Sequence, residues 1–312
     1  MDSALHVAVG VVRDGDGRIL LTKRAQNAHQ GGLWEFPGGK LEPDETVVQP
    51  LQRELLEEVG IEVLSARPLI KIKHRYPDLK VLLDVWQVDS FNGVATAHEG
   101  QAMQWVEPHR LTDFAFPTAN VPIITAARLP DRYAILEGRS IEQVLQNLGK
   151  IVENKVSLLQ LRTKSLPAAD ILTAYRAVFA ECRRRAITLL VNSDLPLFDI
   201  EADGIHLSSR ALMIARNRPE AYTWVAASCH NPKELRHAEA IGVDFAVLAP
   251  VLPTPTHPNV HPLGWEGMTK LIEQANLPVY AMGGLKIEDI DRVLHAGGQG
   301  VAGISTFLDA HL

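Results

Sequence analysis

The run GGKLEPDETVVQPLQRELLEEVGI, residues 38–61, changes its hydrophobic period partway along. Leu51, Leu55, Leu56 and Val59 recur at helical spacing, and Gly60 is a C-terminal stop. Thr46 and Gln49 form an expected capping box. A proline inside a helix loses a backbone hydrogen bond at roughly 3 kcal/mol, so the regular helix is expected to begin near Gln49 or Pro50. Working outward, HVAVGVVR (6–13), RILLTKR (18–24) and KVLLDVWQV (80–88) read as strands, with a DGDG turn between the first two. The first half is therefore α+β, a mixed sheet with helix.

Within the helix, Glu54, Glu57 and Glu58 stand three and four residues apart and share one face. Like charges at that spacing destabilise by a few tenths of a kcal/mol per pair. A hard divalent cation, which takes oxygen ligands and bridges to phosphates, would offset the repulsion. Arg53 can reach Glu57 one turn on, or a carboxylate behind the ligands, and hold it in place. A solvated acidic face is the plain alternative for three glutamates taken alone.

From Asp131 the rhythm is different. YAIL (from 133), SLLQLR (157), ITLLVN (187), DGIHL (203), TWVAAS (223), DFAVLA (244), PVYAM (278) and GVAGI (300) alternate with helical stretches. Eight such strand-helix units close an α/β (β/α)8 TIM barrel. The break falls near LPDR (129–132), which gives expected domains of 1–130 and 131–312.

Composition narrows the function classes. The 312 residues are 46% hydrophobic and 22% charged, an ordinary globular balance that excludes a disordered chain or a coiled coil. A net charge of −6 leaves no footprint for polymeric nucleic acid. Cys182 and Cys229 are the only cysteines, too few for a disulfide framework, and two isolated thiols suit a reducing compartment, so a cytoplasmic location is expected. No run of eighteen apolar residues or export segment is visible, so no membrane association is expected.

The order Gly39, five residues, Glu45, seven residues, Arg53-Glu54-Leu55, one residue, Glu57-Glu58, one residue, Gly60-Ile61 matches every fixed position of the Nudix signature. With VAVGVVR, LLTKR, LWEFPGGK, HEGQ (98–101) and FPTANVPII (116–124), residues 5–128 resemble MutT-type 8-oxo-dGTP diphosphatases. The resemblance implies a Nudix fold and a Mg²⁺-dependent enzyme, with Mn²⁺ as a substitute, that splits 8-oxo-dGTP into 8-oxo-dGMP and pyrophosphate. It implies metal ligation by Glu54, Glu57, Glu58, Glu99 and the Gly38 carbonyl, with the general base either Glu54 or Glu99 and Arg53 in support. Arg24, Leu33, Phe36, Gly39, Tyr76 and Asn120 correspond to its nucleotide pocket, Asn120 as reader of the oxidised guanine edge. An amide offers both donors and an acceptor for that task; a helix N-cap is the plain reading of the same asparagine.

The second half resembles thiamine-phosphate synthases and TenI-type barrels through QLR (160–162) with Lys164, VN (191–192), ADGIHL (202–207), PVLPTPTHP (250–258) and AMGGL (281–285). The resemblance implies a pocket for a thiamine-precursor phosphate formed by Gln160, Arg162, Lys164, Asn192, Thr254, Thr256, Gly283, Gly284 and Ser305. Two carboxylates expected to hold the Mg²⁺ of a pyrophosphate substrate are replaced by Ser193 and Ala211, which argues against synthase chemistry. Two other functions stay open. One is a thiamine-related enzyme whose first half cuts a pyrophosphate ligand; the other is a barrel that senses a ligand without chemistry. Both halves are expected to take small molecules, and a homo-oligomer is compatible with either reading.

Overall fold

The computed structural model describes residues 4–254 and 260–308, and the chain divides into two compact units, Met1–Arg128 and Leu129–Leu312. In the first unit the strands are β1 (Leu5–Val12), β2 (Ile19–Lys23), β3 (Trp34–Glu35), β4 (Gly38–Lys40), β5 (Glu62–Arg75), β6 (Lys80–Asn92) and β7 (Met103–Val106). The helices are α1 (Val48–Val59) and α2 (Val121–Arg128). One sheet has the order β4-β1-β6-β5, with β1 and β6 parallel and the outer pairs antiparallel; the other has the order β3-β2-β7. Strand β1 is apolar on both faces because both are covered. Ala8 and Val12 meet Leu51, Leu55 and Val59 of α1, whereas Val9 and Val11 join Ile123 and Ala126 of α2. Each fully buried leucine of α1 contributes about 2 kcal/mol of apolar transfer.

Helix α1 begins one residue earlier than the sequence suggests, and no capping box starts it. Val47 is its N-cap without a side-chain bond, while the Thr46 and Gln49 side chains bond each other at 3.0 Å. Pro50 falls in the first turn, where a missing N–H costs nothing. Gly60 ends the helix at φ 70°, as expected of a left-handed terminator. The long strand β5 was absent from the sequence reading. Pro68 and interleaved charged residues obscure it, and register shifts interrupt its pairing with β6. It stands at the sheet edge, where a proline is tolerated.

The second unit is a closed parallel barrel of β8 (Arg132–Leu136), β9 (Leu158–Leu161), β10 (Thr188–Asn192), β11 (Gly204–Leu207), β12 (Trp224–Cys229), β13 (Phe245–Leu248), β14 (Val279–Met282) and β15 (Gly300–Gly303). All eight expected strands are present, and β15 pairs with β8 to close the ring. The helices are α3 (Ile141–Glu153), α4 (Ala168–Arg185), α5 (Ser209–Ile214), α6 (Pro232–Ile241), α7 (Gly264–Ile272) and α8 (Ile290–His295). The helix expected between β10 and β11 is replaced by an irregular link, residues 193–203, in which Pro196 and several aspartates disfavour helix. Tyr133, Phe245 and Tyr280 fill the barrel centre with ring centroids 5.4–5.6 Å apart. Among the described residues no helix is long and apolar enough to cross a membrane.

Candidate active sites

In the first unit, strand order brings β4 beside β1, and α1 packs over them so that Glu54 and Glu58, one turn apart, meet the glycines of β4. A cavity of about 620 Å³ opens there. Of the expected residues, Arg24, Phe36, Gly38, Gly39, Glu54, Glu58, Tyr76 and Asn120 line it; Leu33, Arg53, Glu57 and Glu99 do not. The Leu33 carbonyl accepts the Arg24 N–H at 2.9 Å. Glu57 is exposed on α1.

Of the partners open to Arg53, it is other carboxylates and not Glu57 that it bonds. Arg53 Nη1 donates to Glu54 Oε1 at 2.6 Å and Nη2 lies 3.2 Å from Glu45 Oε2. The loop before the helix presents Glu45, fixed by the Glu42 N–H at 2.8 Å, and its nearness outcompetes the reach along the helix. That N–H and Arg53 hold the Glu45 carboxyl below its ordinary range. The outcome is a chain from loop to Arg53 to Glu54 that orients Glu54 beside the cavity.

The HEGQ loop is tied to the end of α1. Its His98 N–H and Gln101 Nε2 both donate to the Glu58 carbonyl, at 3.1 and 3.0 Å, satisfying a helix-terminal acceptor. This brings the charge of exposed Glu99 into the field of Glu58. Burial, then Glu35, Glu54 and Glu99, push the Glu58 carboxyl up to about 8, against the Gly38 N–H that lowers it. Among the described residues no ready-made cage of three or more His, Cys, Asp or Glu ligands exists. The donor set nevertheless fits a hard cation: Glu54 and Glu58 face one cavity, only Glu54 of the two has an arginine partner, and a Cβ on Gly39 would stand 2.1 Å from the Glu54 carboxyl carbon.

Glu35 is a cavity residue that the sequence reading did not single out. Its carboxylate forms a close ion pair with Arg24 Nη1, and Arg24 Nε donates to the His29 carbonyl at 2.9 Å. Burial raises the Glu35 carboxyl and Arg24 opposes the rise. Farther along the lining, Tyr76 is flanked by His29 and His74, with ring centroids at 4.9 and 4.5 Å. Phe36 stacks on Phe116 at 5.4 Å. Asn120 closes a short 3-10 turn ahead of α2, is only 7% exposed, and lines the cavity.

The barrel carries a second cavity of about 390 Å³. Gln160, Arg162, Lys164, Asn192, Thr254 and Gly283 line it, whereas Gly284 and exposed Ser305 do not; Thr256 lies outside the described residues. Gly284 instead takes φ +68° against the backbone at Leu252 and Pro253, where a Cβ would stand 2.6 Å from a carbonyl, a packing role for the glycine. At the floor, residues from four strands form a polar chain. Gln160 Nε2 donates to the Tyr133 hydroxyl at 3.3 Å, which meets His206 Nδ1 at 2.9 Å, and His206 Nε2 meets Ser228 Oγ at 2.9 Å. Burial, aided by Arg162 and Lys164, lowers His206 to about 3, so it is neutral at physiological pH. His230 also lines the cavity, and its Nδ1 lies 2.7 Å from the Ala249 carbonyl. A carbonyl only accepts, so that bond places the proton on Nδ1.

Comparison with known proteins divides the chain in the same way. The family described as a NUDIX domain matches residues 8–126, and the one described as thiamine monophosphate synthase matches residues 132–307. The 8-oxo-dGTP diphosphatase of Escherichia coli is 39% identical over 38% of this chain and 93% of its own length. The CTP pyrophosphohydrolase of the same organism is 38% identical over 38% of this chain and 87% of its own. The putative thiamine-phosphate synthase 2 of Aquifex aeolicus is 33% identical over 58% of this chain and 99% of its own. An acid-lined cavity with the Nudix order of residues, joined in one polypeptide to a closed barrel of the second type, makes this chain a member of both families: a Nudix hydrolase domain followed by a thiamine monophosphate synthase/TenI domain.

Proposed function

We propose that the Nudix half is a Mg²⁺-dependent nucleoside triphosphate pyrophosphohydrolase whose preferred substrate is 8-oxo-dGTP, and that the barrel holds a phosphate-bearing thiamine precursor. The observation that carries the first part is a single cavity lined both by Glu54 and Glu58 and by Phe36, Tyr76 and Asn120. Carboxylates for a cation and groups able to hold a purine thus face one space. The cation would be held by Glu54, Glu58, the Gly38 carbonyl and, from the helix face and the following loop, Glu57 and Glu99. When bound, such a cation polarises phosphoryl oxygens and makes water a better nucleophile. Glu54, oriented by Arg53, or Glu99 takes the proton of the attacking water. Water adds to phosphorus, the bond to the leaving phosphate oxygen breaks, and 8-oxo-dGMP and pyrophosphate are released.

Asn120 is proposed to read the base. Asn120→Ala is expected to reduce the preference for 8-oxo-dGTP over dGTP by 10- to 100-fold, about the value of one or two hydrogen bonds, with less effect on dGTP turnover. Measured kcat/KM ratios check this, and an unchanged ratio removes Asn120 from base recognition.

A second reading has its own support, because a relative named for CTP is as similar as one named for 8-oxo-dGTP. The deciding experiment compares 8-oxo-dGTP, dGTP, CTP and thiamine diphosphate side by side with Mg²⁺. The proposal expects the highest kcat/KM for 8-oxo-dGTP; fastest cleavage of CTP or thiamine diphosphate overturns it.

A further inference from the structure

The second cavity carries cations that are already matched. Lys164 Nζ lies 2.6 Å from Asp194 Oδ2, and Arg162 forms a close ion pair with Glu137. Asp194 is held on its other side as well: Ser208 Oγ donates to Oδ1 at 2.8 Å, and Arg210 Nη2 approaches to 3.6 Å. Its own N–H donates to Asn192 Oδ1 at 3.1 Å, and the Ser208 N–H donates to Ser193 Oγ at 3.0 Å, which fixes the turn after β10. Lys164 and Ser208 line the cavity, whereas Asp194 does not. Asp194 therefore reaches the cavity's cation and hydroxyl from behind and satisfies both.

On the reading that this barrel takes a phosphate, we infer that Asp194 is an internal competitor for the anion site. Its carboxylate takes up the Ser208 hydroxyl proton and one of the three Lys164 donors, and a ligand's phosphoryl oxygens gain both by displacing it. The Lys164 and Asp194 side chains are 37% and 21% exposed, so both ends of the pair can be resolvated when it opens. Pairs of that exposure add little net stability, and exchange of one anion for another is accessible at ordinary temperature. The ligand class that can win is a multiply charged phosphate, which offers Lys164 and Ser208 more charge than a single carboxylate does. The backbone bonds at Asn192 and Ser193 hold the turn in place, so the displacement asks only for rotation of the Asp194 side chain.

The test is calorimetric titration of the full chain with inorganic pyrophosphate, with a chelator present so that no divalent cation contributes. Asp194→Asn is expected to bind about tenfold more tightly than the parent, and Lys164→Met added to it should abolish the gain. Asp194→Ala, which lacks the amide's own hydrogen bonds, is expected to rank with Asp194→Asn and guards against a folding defect in one variant. Any pyrophosphate held in the Nudix half is common to all variants and cancels. Equal or weaker binding by both Asp194 variants overturns the inference, as does a gain that survives loss of Lys164. Binding that depends on Lys164 yet ignores Asp194 sinks the competitor alone. Absence of binding in every variant sinks the phosphate pocket together with it.

Discussion

Glu58→Gln is expected to lower turnover of the proposed substrate, 8-oxo-dGTP, by about 10³-fold while the first unit stays folded. Glutamine keeps the shape and one acceptor but cannot supply the carboxylate that a bound cation would draw out of this half-buried group among Glu35, Glu54 and Glu99. If the cluster exists to hold a cation, losing one ligand charge forfeits several kcal/mol of transition-state stabilisation, and each 1.36 kcal/mol is a factor of ten. Without a cation the Glu58 carboxyl, raised to about 8, is largely protonated at neutral pH, so the amide replaces a neutral group of the same shape and the melting temperature in chelator should hold. Steady-state kinetics with thermal melts in chelator check both halves of the expectation; near-normal turnover would remove Glu58 from the machinery.

The neighbouring glycines of β4 should respond to alanine in opposite ways. At Gly38, φ is +154° and a Cβ would stand 2.2 Å from the Ala8 carbonyl oxygen and 2.9 Å from Val9 Cα. Those are backbone atoms of the paired strand, so β4 must leave β1, and Gly38→Ala is expected to cost more than about 3 kcal/mol of stability. At Gly39 the Cβ would meet the Glu54 carboxyl, the far end of a movable side chain. Gly39→Ala should fold, push Glu54 away from the cavity, and lower kcat by about 100-fold, within the range for disturbed ligand orientation. Denaturant melts and kcat for the two variants separate these outcomes. Equal stability would show that β4 is not held as described.

The barrel was legible because a strand covered on both faces is a short continuous apolar run, and eight such runs stand between helical stretches. The first unit was less so. β5 carries Pro68 and alternating basic residues, since an edge strand needs neither an apolar outer face nor every ladder N–H. The acidic helix was readable from spacing, whereas Gly38 was joined to Glu54 and Glu58 only through what the family resemblance implies, and strand β4 was not read at all. The partner of Arg53 was not, because helical periodicity points it to Glu57 while the preceding loop supplies Glu45 closer at hand. Glu35 was hidden inside LWEFPGGK, where nothing in the spacing says that it will face Arg24 across β2 and β3. The Gln160–Tyr133–His206–Ser228 chain depends on β8, β9, β11 and β12 converging at one level of the barrel, a relation that local pattern does not encode.

The most direct measurement is paramagnetic titration with Mn²⁺, comparing the full chain with its Glu58→Gln form in the presence of a non-hydrolysable triphosphate. Bound Mn²⁺ is expected in the parent, with a loss of at least tenfold in affinity when the carboxylate becomes an amide. Indistinguishable binding isotherms for the two proteins would contradict it.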